Sequence, residues 1–237
     1  MLRAMPFNDP IMKTWLRDPG IPPLVTGEAQ VWLVYCDPDV PVGLEELVSV
    51  DRERLARFRN ERAARHFAYG RKVLRRLLSA HSGLEPDQQV FAFGPNEKPY
   101  LPDIDVEFNI SHASDFVIVA IGRDELGVDI EAADRRVDLQ RLARRFFAER
   151  EYAWWEQKGF AADAFFKIWT HKESYLKATG QGISVELSAI DRTPWLEEKG
   201  DGDDWHSFSL DAPGVYEVAI TCRPTIRTIR KFLWESD

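Results

Sequence analysis

FNISHASDFVIVAIGRDELGVDI, residues 108–130, divides into three short apolar runs, Phe108–His112, Phe116–Ile121 and Leu126–Ile130, parted by Ala-Ser-Asp and Arg-Asp-Glu turns. Runs of this length bounded by turn residues read as strands joined by hairpins. Helical periodicity flanks them on both sides. Upstream, Leu55, Phe58, Phe67, Val73, Leu74 and Leu77 recur near helical spacing within 44–80, with Gly83 beyond the end. Downstream, Leu139–Trp155 and Ala161–Ala178 repeat the pattern, and the second closes at Thr179-Gly180, where a glycine commonly ends a helix. Further strands are expected at VWLVY (31–35) and QVFAF (89–93) before the centre, and at Trp205–Leu210, Tyr216–Cys222 and Thr225–Leu233 after it. Residues 1–29, rich in Pro and Gly, are expected to wrap over the surface. Strand, helix and strands thus occur twice. The expectation is an α+β chain of two similar lobes, each a short mixed or antiparallel sheet flanked by helices, divided at 112/113 into 1–112 and 113–237.

The chain has 237 residues, 44% hydrophobic and 30% charged, which excludes disordered and collagen-like classes. A net charge of −8 argues against a protein that coats nucleic acid. The charge is uneven. From Arg52 to Arg76 stand ten basic residues against Glu53 and Glu61, a local +8 that leaves −16 to the remainder. That face suits a solvated helix or an anion-binding surface. Cys36 and Cys222 have no neighbouring Cys or close His pair, so neither a disulfide framework nor a zinc site is suggested, and a cytoplasmic setting is expected. No apolar run reaches the length of a membrane span.

Three segments carry chemistry-bearing side chains. In LGVDIEAAD, 126–134, Asp129 and Glu131 project from one face of a strand about 7 Å apart. Such a pair suits a hard cation, or the solvent face of an edge strand. In FFKIWTHKESYLKATGQGIS, 165–184, Glu173 and Lys177 lie four apart on one helix face. They could form a surface ion pair, or deliver a third metal ligand together with a phosphate-binding ammonium. FNISHAS, 108–114, puts Asn109, Ser111 and His112 beside a turn. There Asn and Ser also serve local backbone groups, and a lone His is commonly a packed one.

Taken together and in order, KP at 98–99, FNISH at 108–112, GVDIE at 127–131, RFF and Glu151 within 144–152, and W-x-x-KES-x-x-K at 169–177 followed by G-x-G-x-S at 180–184 resemble the Sfp-type 4′-phosphopantetheinyl transferases. The resemblance spans roughly residues 50–222. It implies a pseudo-twofold fold with coenzyme A in the cleft between the lobes. The reaction implied is transfer of 4′-phosphopantetheine to a serine of an apo acyl, peptidyl or aryl carrier protein, with release of adenosine 3′,5′-bisphosphate.

Carried over position by position, the resemblance implies Asp129, Glu131 and Glu173 around Mg²⁺, with Mn²⁺ as an alternative, and Lys177 at the pyrophosphate. Ser111 and His112, beside Asn109, would hold phosphates, and Lys98 with Pro99 would border the adenosine. Arg71 and Arg54 resemble the family's 3′-phosphate contacts. At Asp51 some relatives carry a Lys, which leaves open the residue that neutralises that phosphate. Glu173 or a metal-bound water would take the serine proton, with Asp129, Glu173 and Lys177 forming the catalytic set. The expected partners are an acidic carrier protein and coenzyme A, with no nucleic acid and no membrane, and the chain is expected to be a monomer. Two other classes fit the acidic and basic clusters: an adaptor using the Arg-rich helix, and a metal-dependent phosphohydrolase.

Overall fold

The computed structural model describes residues 14–17, 20–40, 43–182, 186–197 and 204–235. The chain forms two compact units, one built from Trp15–Asp124 with Thr225–Asp237, the other on Glu125–Pro224.

The first unit holds β1 (Leu16–Arg17), β2 (Glu28–Tyr35), α1 (Ser49–Leu55), α2 (Glu61–Ser82), the two-residue strands β3 (Ala92–Phe93) and β4 (Pro99–Tyr100), β5 (Glu107–Ala113) and β6 (Phe116–Gly122). A strand from the far end of the chain, lettered in order as β10 (Thr228–Trp234), completes its sheet, whose order is β1-β10-β2-β6-β5. β10 runs parallel to β1 and β2, while β6 is antiparallel to β2 and β5. α2 starts where the Asn60 side chain accepts the Ala63 N–H, and stops at Gly83 in the left-handed conformation. Its apolar stripe, Val73, Leu74, Leu77 and Leu78, packs on Trp32, Val117, Val119, Ile121 and Phe232 of the sheet. Apolar side chains buried from water are the main driving term for this packing.

The second unit holds β7 (Leu126–Ala132), α3 (Leu139–Phe146), α4 (Glu149–Gln157), α5 (Ala162–Thr179), α6 (Thr193–Leu196), β8 (His206–Leu210) and β9 (Tyr216–Cys222). Its sheet is antiparallel in the order β7-β9-β8. α5 lies on this sheet and ends at Gly180, also left-handed. Phe147, Trp155, Phe165 and Phe166 form a second apolar cluster, with Phe147 and Phe165 stacked at 4.9 Å.

The two units share a topology. Each has a first strand, a long helix and then a hairpin whose last strand inserts beside the first: β2-α2-β5-β6 with order β2-β6-β5, and β7-α5-β8-β9 with order β7-β9-β8. The mixed α+β fold with sheets flanked by helices agrees with the sequence reading.

Four details differ. The units divide after Asp124 rather than at 112/113, because β5 and β6 pair from Glu107↔Gly122 to Ala113↔Phe116 and a cut at 112 would split a hairpin. The strand expected at 89–93 shrinks to Ala92–Phe93, since Gln89 is tied to α2: its amide donates to Arg75 O at 3.0 Å and its carbonyl accepts from Arg75 at 2.9 Å. The helix expected over 139–155 breaks into α3 and α4, with Glu151 accepting the Ala148 N–H at 2.8 Å to start the second. Within the stretch expected to wrap the surface, Trp15 is buried and Leu16–Arg17 joins the sheet.

Candidate active site

Gly127 brings β7 against α5. A Cβ there would stand 2.3 Å from both Ser174 O and Ala178 N, so only a residue without a side chain lets the strand backbone meet the helix backbone. This approach places Asp129, two residues on, beside the last turns of α5. Lys177 Nζ lies 2.5 Å from Asp129 Oδ1 and 3.3 Å from Val128 O. Asp129 is 4% exposed. Glu131 receives Arg135 Nη1 at 2.9 Å on Oε2.

The acids feel one another. Burial, and then the Asp129 charge, push Glu131 above the ordinary carboxylate range, against the pull of Arg135 and Lys177. Glu173 rises for the same reasons, burial first and Asp129 second, with Lys177 pulling down and Glu131 adding to the rise. Asp129, Glu131, Glu173 and Lys177 thus form one electrostatic cluster on β7 and α5. Ser184, from the glycine-rich segment, lies outside the described residues.

Among the described residues no three His, Cys, Asp or Glu side chains close on a point as a metal shell. Lys177 and Arg135 instead neutralise the acids. The donor set still suits a hard divalent cation: Glu131 and Glu173, both raised by burial and by the Asp129 charge, are relieved by added positive charge.

The KES triplet has an interior side that the sequence reading did not assign. Lys172, 1% exposed, pairs with the fully buried Glu151 at 2.5 Å and donates to Ile190 O. Glu151 also accepts the N–H groups of Ala148 and Arg192 at 2.8 Å, so it acts as helix start and buried anchor. Ser174 meets Thr221 Oγ1 at 2.9 Å, and Thr221 meets Ser207 at 2.6 Å. With Lys172 and Ser174 both fixed inward, the helix turn leaves Glu173 between them on the side of Asp129. The signal was available: Lys172 sits four residues from both Ile168 and Leu176, on the apolar stripe.

In the first unit, a cavity of about 270 Å³ is lined by Arg54, His66, Arg71, Pro99, Asn109 and His112, together with apolar residues. It gathers five of the expected coenzyme-binding residues. Lys98 and Ser111 do not line it. Lys98 Nζ lies 3.9 Å from Glu107, and Ser111 is buried on β5, on the opposite side of the strand from His112. A larger cavity of about 1010 Å³ shares Arg54 and Arg71 and adds Arg57, Arg75, Asp51 and Phe91.

Asp51 is buried and binds Arg75 Nε at 2.5 Å, with Arg71 Nε at 3.9 Å. Arg75 also donates to Pro86 O and Gln89 O. Arg71 stacks on Phe91 at 4.5 Å, and its Nη1 is buried without a hydrogen-bond partner. Burial pulls the Arg71 guanidinium down to about 10, Asp51 opposing, which still leaves it charged at neutral pH.

A profile described as the 4′-phosphopantetheinyl transferase superfamily matches residues 125–220, and one described as 4′-phosphopantetheinyl transferase, N-terminal, matches 39–123. Their junction falls where the two units divide. The chain is 34% identical to the 4′-phosphopantetheinyl transferase HetI of Nostoc sp. over 78% of its own length and 82% of that protein. It is 33% identical to the 4′-phosphopantetheinyl transferase Sfp of Bacillus subtilis over 59% of its own length and 62% of that protein. The duplicated α+β fold and its acid–lysine cluster are therefore those of a transferase. The chain belongs to the 4′-phosphopantetheinyl transferase family. Among the described residues, no helix is long and apolar enough to cross a membrane.

Proposed function

We propose that the chain is a magnesium-dependent holo-[carrier protein] synthase that moves 4′-phosphopantetheine from coenzyme A to a serine of an apo acyl, peptidyl or aryl carrier protein. The observation that carries this reading is the cluster of Asp129, Glu131, Glu173 and Lys177 on two elements of one unit. The serine oxygen forms a bond to the phosphorus bearing the pantetheine arm, and the bond from that phosphorus to the bridging oxygen breaks. Adenosine 3′,5′-bisphosphate leaves with the electron pair.

Asp129, Glu131 and Glu173 would hold Mg²⁺ or Mn²⁺, which supplies charge neutralisation of the pyrophosphate. Lys177 places its ammonium on the leaving phosphate, exchanging Asp129 for it. Glu173 takes the serine proton, since burial and Asp129 make it more basic than an ordinary carboxylate. In the other unit, Arg71 takes the 3′-phosphate. Arg75 is held by Asp51 and two carbonyls, while Arg71 keeps an unfilled donor. His112, Asn109 and Ser111 serve the phosphates, and Lys98 and Pro99 border the adenosine.

The +8 segment at 52–76 favours encounter with an acidic carrier. Buried free thiols at Cys36 and Cys222 agree with a cytoplasmic setting. A chain that carries two units of one topology is read as acting as a monomer.

The test is mass spectrometry of apo acyl, peptidyl and aryl carriers incubated with coenzyme A, Mg²⁺ and the enzyme. One phosphopantetheine added to at least one carrier, lost on chelation, is expected. Asp129→Ala and Glu173→Ala should each lower kcat/KM by about a thousandfold or more while melting stays near wild type. No added mass on any carrier, or wild-type turnover in either variant, overturns the reading.

A further inference from the structure

His112 does not stand alone on β5. The His66 imidazole, 6% exposed on α2, lies behind it with ring centroids 4.6 Å apart and planes 24° from parallel. His66 Nε2 is 2.7 Å from Ser114 O. A carbonyl only accepts, so Nε2 carries the proton and the ring tautomer is fixed. Ser114 is the residue at which β5 turns into β6, and it has a left-handed φ of 48°, a conformation uncommon for a residue with a side chain. One imidazole therefore fixes two things: the tight turn that ends β5, through a hydrogen bond, and the plane of the His112 ring, through stacking. Both rings line the same cavity as Arg54 and Arg71. Burial, with His112 and Arg62 adding to it, pulls the His66 ring below its ordinary range, so it stays neutral behind its neighbour at pH 7.

We infer that His66 is a positioning residue: it orients the His112 imidazole and the β5–β6 turn so that His112 meets a phosphate of the donor, without touching the donor's reacting atoms itself. This inference rests on the proposed assignment of His112 to coenzyme A. An apolar side chain could fill the same buried position but could not make the bond to Ser114 O that fixes the turn.

The experiment is a double-mutant cycle on His66 and His112 in the full chain, read as KM for coenzyme A and kcat at saturating carrier. A proton NMR signal of the His112 ring serves as a second readout. His66→Ala is expected to raise KM on the order of tenfold with kcat within about twofold, the size of one lost ring stack and one lost hydrogen bond. His66→Phe, which keeps a ring but no donor, should fall between it and wild type, and it guards against a simple folding defect. The double variant should be no worse than His112→Ala alone, and the His112 ring signal should shift in His66→Ala. If His112→Ala raises KM but His66→Ala leaves it unchanged, adds to it fully or lowers kcat alone, the positioning role is overturned. An unmoved His112 signal overturns it as well. If His112→Ala itself leaves KM unchanged, the coenzyme assignment of His112 is what fails, and the role of His66 falls with it.

Discussion

The two units repeat one topology and have diverged in where they put charge. In the second, acids stand on the first strand and the ammonium on the helix, and β7 touches α5 backbone to backbone at Gly127. In the first, β2 is almost wholly buried, and charge has moved to the helices as Arg54, Arg71 and Arg75 against Asp51. A strand–helix–hairpin frame therefore sets where side chains can converge, and not which sign they carry. The close approach in one unit builds a cation-seeking cluster, while the looser helix contact in the other leaves room for cavities lined by guanidinium groups.

Five substitutions sharpen that contrast. The largest expected loss of stability is at Lys172, where Lys172→Met leaves Glu151 buried without its ion-pair partner. Breaking such a pair costs about 3–5 kcal/mol, and urea denaturation would read it. Lys177→Met, whose side chain is 26% exposed, should lose less stability and more transfer rate. Equal losses of stability in the two would mean that the interior and site-facing sides of α5 are not distinct.

The next effect compares glycines. Gly127→Ala forces a Cβ into backbone at 2.3 Å and should cost about 3 kcal/mol. Gly70→Ala meets only side chains, the nearest at 3.5 Å from Val117. In a helix interior that change should be neutral or stabilise by about 0.5–1 kcal/mol. A tolerated Gly127→Ala would break the claim that backbone contact builds the second unit.

The smallest effect lies at Glu217, opposite Glu131 on β9. Burial raises its carboxyl to about 7, Lys167 pulling down and Asp163 adding to the rise. A raised carboxyl favours the fold while protonated, so this contribution is complete below the ordinary 4.5 and is lost as pH rises through about 7. Glu217→Gln should therefore melt higher than wild type at pH 8 and alike at pH 4.5. Identical melting curves across that window would remove the strain assigned to this position.

Much of the fold was legible because the strands at 31–35, 108–112, 116–121 and 126–130 are apolar runs cut by turn residues, and the helices end at Gly83 and Gly180. What was not legible depends on tertiary partners. Nothing local marks Gln89 as bound to α2 rather than extended, nor the break at Phe147, whose ring is held among Trp155 and Phe165. The acids and Lys177 stood out by spacing and by resemblance. Glu151 stood in the motif and Lys172 on the apolar stripe, but their pairing was not legible, because burial, which sets their role, is not a property of either residue alone.

β10 lies between β1 and β2 in the first unit's sheet, pairing β2 from Thr228↔Glu28 to Trp234↔Val34, although it is made after the whole of Glu125–Pro224. The second unit, built on Glu125–Pro224, can close before β10 emerges, whereas the earlier-made half stays open-edged until β10 has been made. Order of birth and order of folding are thereby reversed. A nascent chain stalled before residue 228 would expose β2 as an unpaired edge, the feature most prone to pairing with another chain.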